Sequence, residues 1–134
     1  MTYSELIQLY FERSGALQSY WTLYVVIIGG LLAFSSLRKE PDRLTTLLVS
    51  ILFVCFAHKN LGAIHDATEQ RLAVLSAIHE AGGDGGEPTK GRTSIEATLQ
   101  PPEYEGVRNF HWTADVLTLL TLWAMERRRK RSVA

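Results

Sequence analysis

The sequence predicts an all-α integral membrane protein with three transmembrane helices, the second extended beyond the bilayer as an amphipathic helix. Residues 20–37 run without a single charge, and residues 44–64 and 110–125 are apolar stretches of similar length. A hydrocarbon core of about 30 Å is crossed by roughly twenty residues of helix. Only backbones that satisfy their own hydrogen bonds can cross it, so each stretch reads as a helix. The mean hydropathy of +0.01 hides these spans by averaging them against a polar connector and tail.

With 134 residues and three spans subtracted, no separate soluble core remains. The formal net charge of zero hides a segregation. Residues 65–108 carry eight acidic against four basic side chains, whereas the tail from Glu126 carries five basic residues, 127–131, against that one acid. Arg38, Lys39 and Arg43 lie between the first two spans. An odd number of spans puts that turn and the tail on one side, and lysine and arginine mark the cytoplasmic side. The expected location is therefore the cell membrane, multi-pass, with the amino terminus outside and the carboxyl terminus cytoplasmic. Tyr20, Trp21 and Trp112 mark the outer boundary and Trp123 the inner one. Cys55, the one cysteine, excludes an intrachain disulfide and reads as a small buried apolar residue. The amino terminus has neither a basic start nor a small-residue cleavage site before the first span, so that span is expected to stay in the mature protein.

The elements follow in order. Residues 1–15 suggest an interfacial helix with Thr2 and Glu5 as a capping box; it either lies in the outer interface or continues the first span upward with a break near Gly15. Span 1 covers 16–38, and Pro41 ends one helix and opens the next. Residues 42–80 form span 2 plus an external stalk, interrupted by Gly62 alone and roughly 55 Å long at about 1.5 Å per residue. The stalk's apolar stripe of Leu61, Ile64, Leu72, Leu75 and Ile78 needs cover, which suggests packing against other copies or a partner. Residues 81–106 read as a flexible acidic connector, glycine-rich over 81–94, with an ordered piece near 95–99 before Pro101 and Pro102. Span 3 covers 107–126, and the basic tail of 127–134 is a topology anchor for anionic headgroups. The tail has no stacking aromatics, so no nucleic-acid partner is expected.

Several constellations are candidates. Gly29, Ala33 and Ser36 form a small-residue stripe that lets a helix approach closely, either within the chain or from outside. Thr46, Ser50, Phe53, Ala57, Asn60 and Ile64 alternate in fours and threes, which suits an oligomer seam or the inner face of one monomer. Lys59 and Asp115 fall at matched depth, about 7–8 Å beneath the outer boundary by helical rise, and are expected to pair because a lone charge there is costly. His58, Asn60, His65, Glu69 and His111 collect on the outer side, where metal ligation, proton handling and plain hydrogen bonding are all geometrically open. No metal or cofactor is expected. Asp115, Thr118 and Thr121 give span 3 a semi-polar face that lines a pore or bonds back to its own carbonyls.

No nucleophile–base pair or phosphate loop is present, so no catalytic residue is expected. Two function classes remain: a non-catalytic membrane component that forms a homo-oligomer or serves another membrane protein as accessory or scaffold subunit, and a pore-forming oligomer. The arrangement of three spans, outside amino terminus and basic cytoplasmic tail is similar to that of three-span phage holins, in topology alone. For the second class that similarity implies a holin-like oligomer or small channel.

Overall fold

The computed structural model describes residues 1–83, 90–99 and 103–133. It is all-helical, with 93% of the described residues in four helices. These are α1 (Tyr3–Leu37), α2 (Arg43–Gly83), α3 (Lys90–Thr98) and α4 (Tyr104–Val133). Residues 84–89 of the glycine-rich stretch, together with Pro101 and Pro102, lie outside the described residues, whereas 81–83 end α2 and 90–94 belong to α3, where a flexible connector was expected.

Helix α1 starts where the sequence says it should. The Thr2 hydroxyl accepts from the Glu5 amide at 3.3 Å while the Glu5 carboxylate accepts from the Thr2 amide at 2.6 Å, so two orphan amides are satisfied reciprocally. The helix then runs through Gly15 without a break to Leu37. The interfacial-helix alternative therefore gives way to one continuous rod. A mid-helix glycine costs only about 1 kcal/mol, and Leu6, Tyr10 and Leu17, buried on both sides of it, outweigh that cost. Helix α2 begins after Pro41, with Asp42 accepting from the Thr45 amide at 3.2 Å.

Helices α1, α2 and α4 form an up-down-up bundle. The inner face of α2 keeps the four-three alternation well past its predicted end: Thr46, Ser50, Phe53, Ala57, Asn60, Ile64, Ala67 and Arg71 are buried, Val74 is partly covered and Ile78 is buried. A strict repeat of seven over this length gives a left-handed, coiled-coil-like seam. The seam is thus the interior of one monomer. The stalk is covered from within as well. Leu6 and Tyr10 of α1 pack on Ile78, joined by Leu99 just beyond α3, and Leu17 packs on Ile64 and Ala67. The inferred need for another copy over the stalk is removed by the unbroken α1, which is long enough to follow α2 outward. Helix α3 starts at Lys90, earlier than the ordered piece near 95–99 suggested, and is fastened by Tyr3, whose hydroxyl donates to Glu96 at 3.1 Å.

Two helices, α1 and α2, are long and apolar enough to cross a membrane. Helix α4 does not reach the same length and composition, because His111, Asp115 and the threonines interrupt its apolar run, so two of the three expected spans stand out by composition alone. Cys55 also differs from expectation, being exposed, because the seam passes through Phe53 and Ala57 and leaves residue 55 on the opposite face.

Candidate functional site

Between the basic end and Ile64 the bundle buries several polar side chains in its core and leaves many large apolar ones exposed. The buried groups fall into layers. In the half nearer the stalk, His111 on α4 is fully buried, and its Nδ1 lies 2.9 Å from Asp115 Oδ2. The Tyr24 hydroxyl of α1 donates to Asp115 Oδ1 at 2.8 Å and reaches the His111 carbonyl at 3.2 Å. Asn60 of α2 completes the layer with its Nδ2 3.4 Å from His111 Nε2. All three helices meet here because 24, 60 and 111 are each in phase with the buried positions of their own helix.

The second layer closes the opposite end. Glu126, buried, accepts at Oε2 from Thr46 Oγ1 and from Arg129 Nη2, both at 3.0 Å, with Arg38 Nη2 at 3.9 Å. Arg38 Nη1 donates to Thr46 Oγ1 at 3.1 Å. Arg129 also donates to the Ser35 carbonyl, capping the last turn of α1. The basic turn and the basic tail therefore sit at one end of the bundle. Further along the bundle, Arg71 is buried, donates to the Tyr10 hydroxyl at 2.8 Å and lies over that ring at 4.9 Å.

The predicted site residues distribute as follows. Lys59 is exposed and forms no ion pair within the chain among the described residues. Asp115 takes Tyr24 and His111 instead, because the seam turns Asn60 inward and so turns its neighbour Lys59 outward. The outer polar cluster divides for the same reason: Asn60 and His111 are inside, whereas His58, His65 and Glu69 are exposed. His65 meets Asp66 at 3.6 Å and the Tyr104 ring edge-on at 4.7 Å. No three His, Cys, Asp or Glu side chains converge in metal-binding geometry among the described residues. Thr46, Ser50 and Ala57 are buried, while Gly29, Ala33 and Ser36 are exposed on the face of α1 turned away from the bundle. Thr118 is buried and Thr121 exposed, and both hydroxyls donate to their own helix, at Ala114 and Leu117, over 2.8 Å. Asp115, Thr118 and Thr121 therefore share no single open face.

Three participants went unrecognised in the sequence. Tyr24 and Arg129 carry only a phase signal, being in register with the buried positions of α1 and α4. Glu126 carries a clearer one, a lone acid between an apolar run and five basic residues, one turn beyond Leu122. No family model, curated protein or solved structure matches the chain.

Chemically, both layers are networks of donors and acceptors that join the helices, although Glu126 Oε1 and Arg129 Nε of the second layer are buried without a partner. They fix the axial register of three helices, since a slip of one turn would leave a buried carboxylate or imidazole without partners.

Proposed function

We propose that the chain is a non-catalytic, multi-pass protein of the cell membrane that crosses the bilayer three times, with its amino terminus outside and its carboxyl terminus cytoplasmic, and that it self-associates through the outer face of α1. Inverted polarity is the observation that carries the membrane reading. Leu23, Val25, Val26, Phe34, Leu44, Leu47, Leu48, Ile51, Leu52, Val54, Phe110, Val116, Leu117 and Leu120 are exposed, while Thr46, Ser50, Asn60, His111, Thr118 and Glu126 are buried. A water-soluble monomer seldom leaves so large an apolar surface open. In hydrocarbon the same distribution is the favourable one. Beyond Ile64 the pattern reverts, and on the described stalk of α2 only Leu72 remains as an exposed large apolar side chain.

The same observation supports a third crossing by α4. Its low hydropathy comes from His111, Asp115, Thr118 and Glu126, which face α1 and α2, so lipid would meet Phe110, Val116, Leu117 and Leu120 instead. The orientation is supported by the shared basic end of the turn and the tail.

For association, the stripe of Gly29, Ala33 and Ser36 extends back in fours and threes through Val26, Thr22, Ser19 and Gly15, all exposed. The Ser19, Thr22 and Ser36 hydroxyls donate to their own helix carbonyls, leaving a low, uncharged surface for close backbone approach. A second copy of α1 is its simplest complement, because a two-fold interface matches a stripe with itself. Pore lining by α4 is the weaker reading, since Asp115 and Thr118 already face α1 and α2 within one chain.

Cys55 supplies the test. On the isolated bundle it is exposed, so a hydrophilic maleimide reaches it in water, whereas a bilayer shields it from the reagent. Labelling of proteoliposomes only after denaturation is the expected result, together with a dimer mass in mild detergent. Rapid labelling of intact proteoliposomes excludes the membrane reading, and a monomer mass excludes self-association.

A further inference from the structure

The basic end of the bundle holds a cavity of about 380 Å³ between the end of α1 and the last turns of α4. Met125, Arg128, Arg129 and Ser132 line it from α4, at spacings that place them on one helix face, and Ser36 and Arg38 close the other side. Three guanidinium groups thus converge, and one carboxylate, Glu126, lies against them, so positive charge remains in excess. Two of the three are already fixed. Arg129 is held by Glu126 and Ser35, and Arg38 by Thr46 and the Asp42 carbonyl; their side chains are 10% and 16% exposed. Arg129 Nε is buried with no hydrogen-bond partner, a donor left over by the internal network. Arg128 is exposed and forms no ion pair among the described residues.

We propose that this cavity binds the phosphate of an anionic phospholipid, with Arg38 and Arg129 as preset donors, Arg128 as the third charge and Met125 beside the acyl chains. Planar guanidinium forks match phosphate oxygens, and forks held in place lose little freedom when they bind. Headgroup depth follows from the membrane reading above, on which this proposal rests. A diffuse attraction of the basic tail to a charged surface weights every basic residue about equally; a cavity weights them by position.

That difference is measurable. Full-length protein in phosphatidylcholine nanodiscs containing phosphatidylglycerol is examined by native mass spectrometry, comparing Arg128→Gln with Arg131→Gln. Each variant removes one charge from the tail, but Arg131 does not line the cavity. One phosphatidylglycerol is expected to remain per chain. Its affinity is expected to fall about tenfold in Arg128→Gln, the scale of one charge-assisted hydrogen bond, and by clearly less in Arg131→Gln, which leaves all three cavity guanidinium groups in place. Equal losses in the two variants overturn the cavity. Binding of inorganic phosphate without any preference for phosphatidylglycerol over phosphatidylcholine overturns the lipid assignment and leaves a soluble anion as the ligand. Cys55 labelling keeps the two readings apart: equal losses with Cys55 shielded remove the cavity alone, whereas Cys55 labelled in intact proteoliposomes removes the membrane reading itself.

Discussion

The Tyr24 ring lies on the His111 imidazole, with centroids 4.0 Å apart and planes 28° from parallel, and its hydroxyl reaches past that ring to Asp115. One side chain of α1 therefore both covers the buried histidine and satisfies the carboxylate that faces it. Replacing Tyr24 by Phe keeps the ring and deletes the donor. A hydrogen bond to a charged acceptor is worth about 1.5–3 kcal/mol, and a loss of that size is expected on unfolding in detergent. In a double-mutant cycle with Asp115→Asn the two losses are expected not to add, because both remove the same contact. Additive losses would place the hydroxyl's partner elsewhere.

Lys59 gives the complementary case. Exposed and without an ion pair in the chain, it is expected to tolerate Lys59→Gln within about 0.5 kcal/mol. Asp115→Asn is expected to cost about 1–3 kcal/mol, because His111 and Tyr24 lose a charged acceptor. Equal costs in the same unfolding assay would revive a Lys59–Asp115 pair.

Much of this arrangement is legible in the sequence, for physical reasons that can be named. The capping box at Thr2 and Glu5 is local, so spacing alone reveals it. The seam from Thr46 to Ile64 is periodic, and periodicity survives without knowledge of the partner. What covers the stalk beyond Ile64 is a different matter. Sequence spacing could not decide between another chain and α1, since the choice turns on whether the helix survives Gly15, and that depends on Leu6 and Tyr10 finding Ile78 across the bundle. Lys59 and Asp115 illustrate the limit of matching by depth. Helical rise gives a height along the axis, but azimuth decides contact, and residue 59 lies beside the seam position at 60, on the exposed side. Glu126 was readable in principle as the one acid at the head of a basic run.

The inner layer is expected to behave as a unit. Glu126→Leu leaves Arg129 and Arg38 without their buried carboxylate, a change of the kind that costs about 3–5 kcal/mol. Arg129→Leu strands the carboxylate in turn. The double variant is expected to be more stable than the sum of the single losses implies, since Glu126 and Arg129 no longer strand each other and Arg38 keeps Thr46 and the Asp42 carbonyl as partners. Chemical denaturation of the three variants in one detergent checks this; strict additivity would mean that the two side chains do not share a contact.

Helix α3 is expected to dock most firmly over an intermediate pH range. The Arg92 guanidinium, donating to Glu96 at 2.9 Å, holds the Glu96 carboxyl below its ordinary range. The Tyr3 hydroxyl, donating to Glu96 across the docking contact, adds to that lowering, and this part stabilises the docked form above the ordinary glutamate range and disappears as pH falls through the lowered value. Burial, reinforced by Glu96, pushes the Tyr3 phenol above its ordinary value. A raised phenol stabilises the docked form below the ordinary tyrosine range, and the contribution is lost as pH rises. Methyl resonances of Ile95 and Leu99 should therefore report undocking at both extremes. Glu96→Gln should flatten the acid limb and Tyr3→Phe the alkaline one.

Gly29 offers the sharpest separation of folding from association. A Cβ added at Gly29 meets no atom within 4 Å inside the chain, and Ala33 is exposed one turn further on. Within the monomer, then, Gly29→Ala is expected to be neutral or to gain up to about 1 kcal/mol from helix propensity. Between two copies of α1 the outcome reverses, because close backbone approach has no room for bulk. Gly29→Leu and Ala33→Leu are expected to shift the mass in mild detergent from dimer to monomer while thermal unfolding of the bundle stays unchanged. Retained dimers in both variants would move the contact to another face, and unfolding of the variant monomers would mean that this face of α1 is occupied within the chain after all.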